Sequence, residues 1–328
     1  MKPPDSQPLV SMTIFCYNHE SYVEECLESV RAQTYKHTEL IIMDDASTDN
    51  SVAVIRNWIM RHGIRCQFIV HERNVGVSRT INEAYALARG DYLAPCSGDD
   101  VWLVDKIEKQ VPIMESLPED YGLLYSDAFQ IDESSQPLAR MFIETQRKFD
   151  AIPQGNVRAE LLDNNFIPGM TMLVRKKAQE DVGPYDPSLA YEDWDMMIRF
   201  AQRYKFAYSP EASVKYRVCA SSFSKRLLST QRLAVLLTNF SIYRRSLSYD
   251  WLNKDQHARL VANLVTIAKT LFRTREPECK RALRETLRQK FSFRLLGMYL
   301  LCVCHIPAGV SSSLLRPLRS ASSGQRGL

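Results

Sequence analysis

An apolar run rich in β-branched and aromatic residues, Leu9 to Tyr17, predicts a first strand. Asn18 and Ser21 then offer caps for a helix whose Val23, Leu27 and Val30 recur at i, i+4 and i+7. Leu40 to Met43 is continuously apolar, as expected of a strand covered on both faces. The cap-rich stretch Asp44 to Asn50 leads into a second helix carrying Val52, Ile55 and Ile59, and Phe68 to Val70 predicts a third strand. After the turn Asn74 to Ser78, a helix sets Ile81, Ala84, Tyr85 and Ala88 on one stripe, with Gly90 as its C-terminal cap. Tyr92 to Pro95 is a fourth strand, delivering Asp99 and Asp100 on a glycine-containing turn before Val104, Ile107, Val111 and Met114 restart the helical period. Strand and helix alternate four times. Such a pattern implies an α/β fold with a largely parallel sheet, helices on both faces, and ligands at the carboxyl ends of the strands.

The pattern loosens further on. Ser126-Asp127 is expected to end another strand, and Asp132 to Asp150 to form a long polar loop on the acceptor side. Pro168 to Val174 reads as a turn into a strand, while Ala207-Tyr208 and Val214 to Val218 alternate like two partly exposed strands closing the sheet. From about Phe223 only helical periods remain, with Leu233, Leu236, Leu237 and Phe240 on one stripe and Leu260, Leu264, Ile267 and Leu271 on another.

A chain of 328 residues holds one large or two ordinary domains, and 45% hydrophobic with 24% charged residues excludes global disorder. Eight cysteines without any CxxC pair point to buried free thiols in a reducing compartment rather than a disulfide framework or zinc site. Met1 to Pro8 lacks the apolar core of a signal peptide. The net charge of +4 hides an asymmetry: from Trp251 onward 14 Lys and Arg face 4 acids, an excess of +10, whereas the remainder has 28 against 34. A basic tail on an acidic body implies a different partner for that tail. Leu295 to Val310 is apolar but shorter than the ~20 residues that span a bilayer. Lys290, Arg294, Arg316 and Arg319 flank it. This is the makeup of a helix lying on an anionic membrane, and equally of a C-terminal helix packed on the body. No aromatic platform or known motif accompanies the basic residues, so no nucleic acid is expected as a partner.

Three polar clusters, Tyr17-Asn18, Asp44-Asp45 and Asp99-Asp100, follow three of the strands, and a parallel sheet would bring them to one rim. The chain has no GxGxxG after its first strand and no GxxxxGK[ST] anywhere. Phosphate charge is then left to a metal, and two adjacent carboxylates suit Mn²⁺ or Mg²⁺. In the other reading Asp99 begins a turn and Asp100 caps the next helix.

These residues resemble a known family. Ser11 to Ser51, with Tyr17-Asn18, Gln33-Thr34-Tyr35 and Asp44-Asp45-Ala46-Ser47-Thr48-Asp49-Asn50-Ser51, is similar to the opening of family-2 inverting glycosyltransferases of the GT-A fold. Asn74 to Ser78, Ala88 to Tyr92 and Ser97-Gly98-Asp99-Asp100 resemble its next segments, including its DxD-type metal motif. Gly183-Pro184-Tyr185-Asp186, Glu192-Asp193-Trp194-Asp195 and Tyr216-Arg217 resemble its acceptor half. The resemblance runs from about Leu9 to about Ser222. It implies a flexible 1–8, a GT-A domain over 9–222, divided into a nucleotide-sugar half (9–102) and an acceptor half (103–222), and a helical region over 223–328 that is a candidate for membrane contact.

The resemblance also implies roles. Asp45 matches the acid that recognises the base of a nucleoside-diphosphate sugar, with Phe15 and Tyr17 at the loop that embraces the nucleoside. Asp99 matches the acid facing the ribose, Asp100 the ligand of the metal on the diphosphate, and Asp193 the general base; Arg79 could reach a phosphate. Gly169, Glu192 and Trp194 fall on the acceptor side. Beside these stand plainer readings: Asp45 as a helix cap, Arg79 as a solvated helix residue, Glu192-Asp193 as an acidic first turn. The chain departs from the family at Ser97, where an acid is common, and at Val218-Cys219, where a histidine often follows Tyr-Arg. The expected activity is metal-assisted inverting transfer of a sugar to a hydroxyl of a glycan or lipid-linked acceptor in cell-surface polysaccharide biosynthesis. The expected location is cytoplasmic, at the inner face of the membrane. A catalytically silent GT-A-like module that binds a glycan or partner is the alternative.

Overall fold

The computed structural model describes residues 7–146, 149–219 and 231–303. The chain separates into two compact units, residues 1–226 and 227–328.

In the first unit, β1 (Val10–Cys16), α1 (Val23–Arg31), β2 (Thr38–Asp44), α2 (Ser51–His62), β3 (Gln67–Val70), α3 (Val77–Leu87) and β4 (Tyr92–Ser97) alternate as the apolar periods predict. β1 pairs in parallel with both β2 and β4, and β2 with β3. Alternation along β1 divides the two faces. Val10, Met12, Ile14 and Cys16 join the core formed with Val23, Leu27 and Val30 of α1 and with Ile55 and Trp58 of α2, while α3 also packs on β1 and β2.

The sheet continues as β5 (Val101–Trp102), β6 (Tyr121–Ile131), β7 (Pro137–Met141), β8 (Leu173–Arg175) and β9 (Lys205–Arg217), with α4 (Lys106–Ser116), α5 (Phe142–Gln146), α6 (Arg158–Asp163), α7 (Lys176–Val182) and α8 (Asp193–Ala201) between them. The order is β3-β2-β1-β4-β8-β6-β9-β5, with β7 paired to β6. β8 is antiparallel to β4 and β6, whereas β6 and β9 run parallel, so the sheet is mixed.

Five expectations are corrected. Gly90 does not cap α3, which ends in an extended Ala88. Instead a Cβ at Gly90 would lie 2.6 Å from Ser11 Oγ, 2.7 Å from Ser11 N and 2.8 Å from Leu9 O, so only glycine lets this turn lie against β1. Overpacking against backbone costs about 1–3 kcal/mol or more, and Gly90→Ala is expected to lower the denaturant midpoint at unchanged slope. Asn18 and Ser21 do not cap α1, whose N-cap is Tyr22. Ser126-Asp127 lies inside β6, at a register shift against β9, where Asp127 accepts from the N–H groups of Ala128 (2.7 Å) and Ile143 (2.9 Å). The stretch from Asp132 is a hairpin rather than a structureless loop, for β7 pairs back on β6 and α5 follows. The two strands expected near Ala207 and Val214 are one, β9, bulged where it passes Ser126.

The second unit comprises α9 (Arg232–Ser246), α10 (Lys254–Thr274), α11 (Cys279–Gln289) and α12 (Phe293–Val303). Asn253 and Gln256 close a reciprocal capping box on α10. Leu260, Leu264, Ile267 and Leu271 are buried, as their spacing predicts. They are joined by Phe240, Leu283, Leu295 and Met298 from the other helices. Residues 304–310 of the apolar run lie outside the described residues. No helix among the described residues is long and apolar enough to cross a membrane.

Candidate active site

β1, β2 and β4 end together. Cys16 pairs with Asp44 and Phe15 with Ser97, which brings Tyr17-Asn18, Asp44-Asp45 and Asp99-Asp100 to one rim. Short side chains lace the loops above it. Asn18 sits at φ 58°, takes the Thr48 N–H on its Oδ1 (2.8 Å) and donates its own N–H to Ser47 Oγ (2.9 Å). Asp44 accepts from the Ser47 N–H and hydroxyl, and Asp49 from the N–H groups of Glu20 and Ser51. The cap-rich run is therefore a clasp between two loops. Phe15 and Tyr17 are half-buried beside it, and Arg79 is exposed on the first turn of α3.

Asp45 is buried, and its carboxylate shapes the turn after β3. Oδ1 accepts from the Val75 N–H (2.8 Å), Oδ2 from the Gly76 N–H (2.9 Å), and His71 Nδ1 lies 2.8 Å from Oδ1. Burial opposes a charged His71, but hydrogen bonds to Asp45 and Glu83 outweigh it and hold the imidazole above the ordinary histidine value. A carboxylate offers about four acceptor sites, so Asp45 keeps one for another donor.

Asp99 and Asp100 differ in their surroundings. Asp99 is partly exposed, bonded to the Ser97 hydroxyl, with His19 Nε2 3.9 Å from its Oδ2. A Cβ on Gly98 would come within 2.9 Å of His19 Nδ1, so glycine permits this approach. Asp100 is buried. Its Oδ1 accepts the Arg217 N–H (2.9 Å), while its Oδ2 is buried without a hydrogen-bond partner. Burial, then the charge of Asp99, push the Asp100 carboxyl well above the usual range. The guanidinium of Arg217, itself buried, ties Asp99 O (2.8 Å), Asp132 O (3.0 Å) and Glu25 Oε2 (2.6 Å) together. A partnerless carboxylate oxygen beside a second acid fits a hard cation that supplies its own charge. Among the described residues no three His, Cys, Asp or Glu side chains converge as a cage, so such a cation would rest on Asp100 with oxygen ligands from elsewhere.

Asp193 begins α8, and its carboxylate is fixed at both ends. Oδ1 accepts the Trp194 N–H (2.7 Å) and Oδ2 the Asn165 side-chain amide (2.7 Å). Trp194 is buried, its indole N–H on Leu161 O (2.6 Å), so α6 anchors the start of α8. Burial raises Asp193, and burial together with the charge of Asp193 pushes Glu192 up to about 8. The two carboxyls interact, so their protons leave in steps that belong to the pair. Asn82 of α3 pins the preceding loop, exchanging hydrogen bonds with Tyr185 N–H (2.8 Å) and O (2.9 Å). Gly169 opens the 3₁₀ turn before β8, with nothing within 4 Å of where a Cβ would stand. Burial, then the fields of Asp100, Asp99, Cys219 and Asp193, push the Tyr216 hydroxyl far up.

The titration of Glu192 has a consequence for stability. A carboxyl raised in the folded state stabilises fully below its unfolded value, and that contribution is lost as pH rises through about 8. Glu192→Gln is expected to flatten the decline of Tm between pH 6 and 9 seen in the parent, in melts at about ten closely spaced pH values; an unchanged slope would remove this assignment.

Sequence reading missed His19, Asn82 and Asn165, and saw Arg217 only as half of a motif. Their partners lie 28 to 192 residues away, and no local pattern encodes such contacts.

Comparison with known proteins identifies the family. The chain is 32% identical over 214 residues to an uncharacterized glycosyltransferase of Methanocaldococcus jannaschii, covering 65% of this chain and 71% of that one. It is 28% identical over 226 residues to the putative glycosyltransferase EpsE of Bacillus subtilis (68% and 77%), and 28% over 220 residues to an uncharacterized glycosyltransferase of Rickettsia typhi, of which it spans 66%. Among solved structures, S. aureus TarS 1-349 in complex with UDP-GlcNAc superposes with a TM-score of 0.61 at 15% identity, covering 94% of this chain and 85% of that one. The mannosyltransferase PcManGT of Pyrobaculum calidifontis, in complex with GDP-Man and Mn²⁺, gives 0.58 at 15% identity, covering 98% and 84%. These likenesses establish the GT-A type of fold. The family model described as Glycosyl transferase family 2 matches residues 11–183, more than half of the chain, and the chain belongs to glycosyl transferase family 2, a family of glycosyltransferases.

Proposed function

We propose that this protein is an inverting glycosyltransferase. It moves a sugar from a nucleoside-diphosphate donor to a hydroxyl of a glycan or lipid-linked acceptor, in the assembly of cell-surface polysaccharide. The observation that carries the reading is Asp100, whose buried, partnerless oxygen stands beside Asp99 at the end of β4. TarS and PcManGT, both captured with nucleotide sugars, support the donor class.

Asp45 offers its remaining acceptor site to a base N–H, and Phe15 and Tyr17 flank the nucleoside. Asp99 faces the ribose and Asp100 holds Mn²⁺ or Mg²⁺. When bound, the cation supplies positive charge to the diphosphate leaving group. Asp193 takes the proton from the acceptor hydroxyl as that oxygen attacks the anomeric carbon from the face opposite the diphosphate. Asn165 and the Trp194 N–H fix the direction in which the carboxylate points. Neutral Glu192 beside it avoids a second buried charge. Gly169 and Trp194 border the acceptor side.

The test is binding and hydrolysis across UDP, GDP and dTDP sugars, with and without Mn²⁺ or Mg²⁺. Metal-dependent binding of one donor is expected and names it; a folded protein that binds none would sink the proposal and favour a silent glycan-binding module.

A further inference from the structure

The helix α12 is apolar on two faces. Leu295, Met298 and Leu301 are buried in the core of the helical unit. Phe293, Leu300 and Val303 form a second stripe at i, i+7 and i+10, and are 71%, 50% and 38% exposed. Phe291, immediately before the helix, is 64% exposed, and its ring meets that of Phe293 edge-on at 5.2 Å. Of the eight large hydrophobic residues exposed among the described residues, these four fall within 13 positions, whereas the others are scattered over the first unit. A helix apolar all round belongs in an interior or at an interface.

Charge surrounds this stripe. Lys290 and Arg294 flank Phe291 and Phe293 in sequence. Burial, then the fields of Arg294, Arg273 and Lys290, hold Lys269 of α10 below the ordinary lysine value. Like charges in one another's field repel unless an anionic partner compensates them. The acids of the neighbouring helix do not supply it, since Glu285 is engaged by Arg244 and Arg281.

We propose that Phe291, Phe293, Leu300 and Val303, with Lys269, Arg273, Lys290 and Arg294, form a docking surface for an anionic lipid bilayer. The two phenylalanines enter the boundary between headgroups and acyl chains, and the cations meet lipid phosphates. Within the described part of the run Leu295 to Val310, Leu295, Met298 and Leu301 pack the core, so the proposed lipid-facing set is the opposite stripe with Phe291. The inference stands apart from the sugar-transfer reading, since none of these residues lies in the catalytic unit.

The test is flotation of the full chain with vesicles of phosphatidylcholine alone and of phosphatidylcholine with 30 mol% phosphatidylglycerol. Preferential binding to the anionic vesicles is expected, weakening as salt rises. Phe291→Ser/Phe293→Ser and Lys290→Gln/Arg294→Gln are each expected to lower partitioning by about tenfold or more while leaving Tm and donor binding unchanged. Equal binding by parent and variants, or equal binding to both vesicle types, would overturn the proposal. So would a dimer in sedimentation that the phenylalanine variant dissociates, which would assign the stripe to a second copy of the chain. Donor binding in the same samples keeps failure here distinct from failure of the transferase reading.

Discussion

Asp193→Asn is expected to lower kcat by about 10²- to 10⁴-fold, with donor affinity and fold intact. An acceptor alcohol is a poor nucleophile near neutrality, and the carboxylate that takes its proton acts only in the transition state. Loss of that interaction raises the barrier by about 3–5 kcal/mol without touching ground-state binding of the donor. The substitution is well placed to separate the two effects. Asparagine retains an oxygen for the Trp194 N–H, and rotation of the Asn165 amide lets it accept where it formerly donated. Burial already disfavours the charge at this position, so its removal is expected to leave Tm unchanged or raised. Single-turnover transfer and donor titration, run side by side, decide it. A variant that turns over at the parental rate would take the general-base role from Asp193.

Why Asp193 could be named at all, while its supports could not, follows from where information lies along the chain. Strands buried on both faces are continuous apolar runs, so β1, β2 and β4 were legible, and with them the rim where Asp45, Asp99 and Asp100 meet. Strand β7 was not, because Pro137 to Arg140 are all exposed and carry no alternation. Strand β9 read as two because Ser209-Pro210-Glu211 interrupts its apolar positions at the bulge. Gly90 looked like a helix cap, since close approach to Ser11 leaves no trace in neighbouring residues. The site shows the same division. Resemblance to the family named the acids, but the Arg217 N–H that fixes Asp100 comes from 117 residues away, and the antiparallel pairing of β5 with β9 brings it there.

This division has a chemical logic. Of the acids proposed to touch substrate, Asp45, Asp100 and Asp193 lie at turns or a helix start, where a backbone N–H holds one carboxylate oxygen. Asn165 and Arg217, which hold Asp193 and Asp100, come from other segments, as does Asn82, which holds the loop before α8 at Tyr185. Substituting a support shifts geometry, while substituting an acid removes a charge.

At Asp100 that distinction becomes measurable before any sugar is transferred. Asp100→Asn is expected to abolish transfer, and also to erase the thermal shift that Mn²⁺ with UDP or GDP gives the parent. The amide keeps an acceptor for the Arg217 N–H, so the local scaffold is retained. What changes is the charge on a buried oxygen that no protein donor satisfies. In the metal-free parent this charge works against the fold. A folded-state value raised above the unfolded one stabilises below the unfolded value, near 4, and that contribution fades as pH rises through the folded value. Metal-free Asp100→Asn is therefore expected to melt at or above the parent at pH 8, with a smaller difference at pH 5. With cation and nucleotide at about 100 times Kd, the parent gains about 2.7 kcal/mol. At about 2–4 °C per kcal/mol for a domain of this size, that is a rise of several degrees. The variant gains only what nucleotide alone provides. Equal metal-dependent shifts in the two proteins would remove Asp100 as the ligand, whatever happened to activity. Loss of the shift together with an unaltered metal-free melt would separate a missing ligand from a damaged fold.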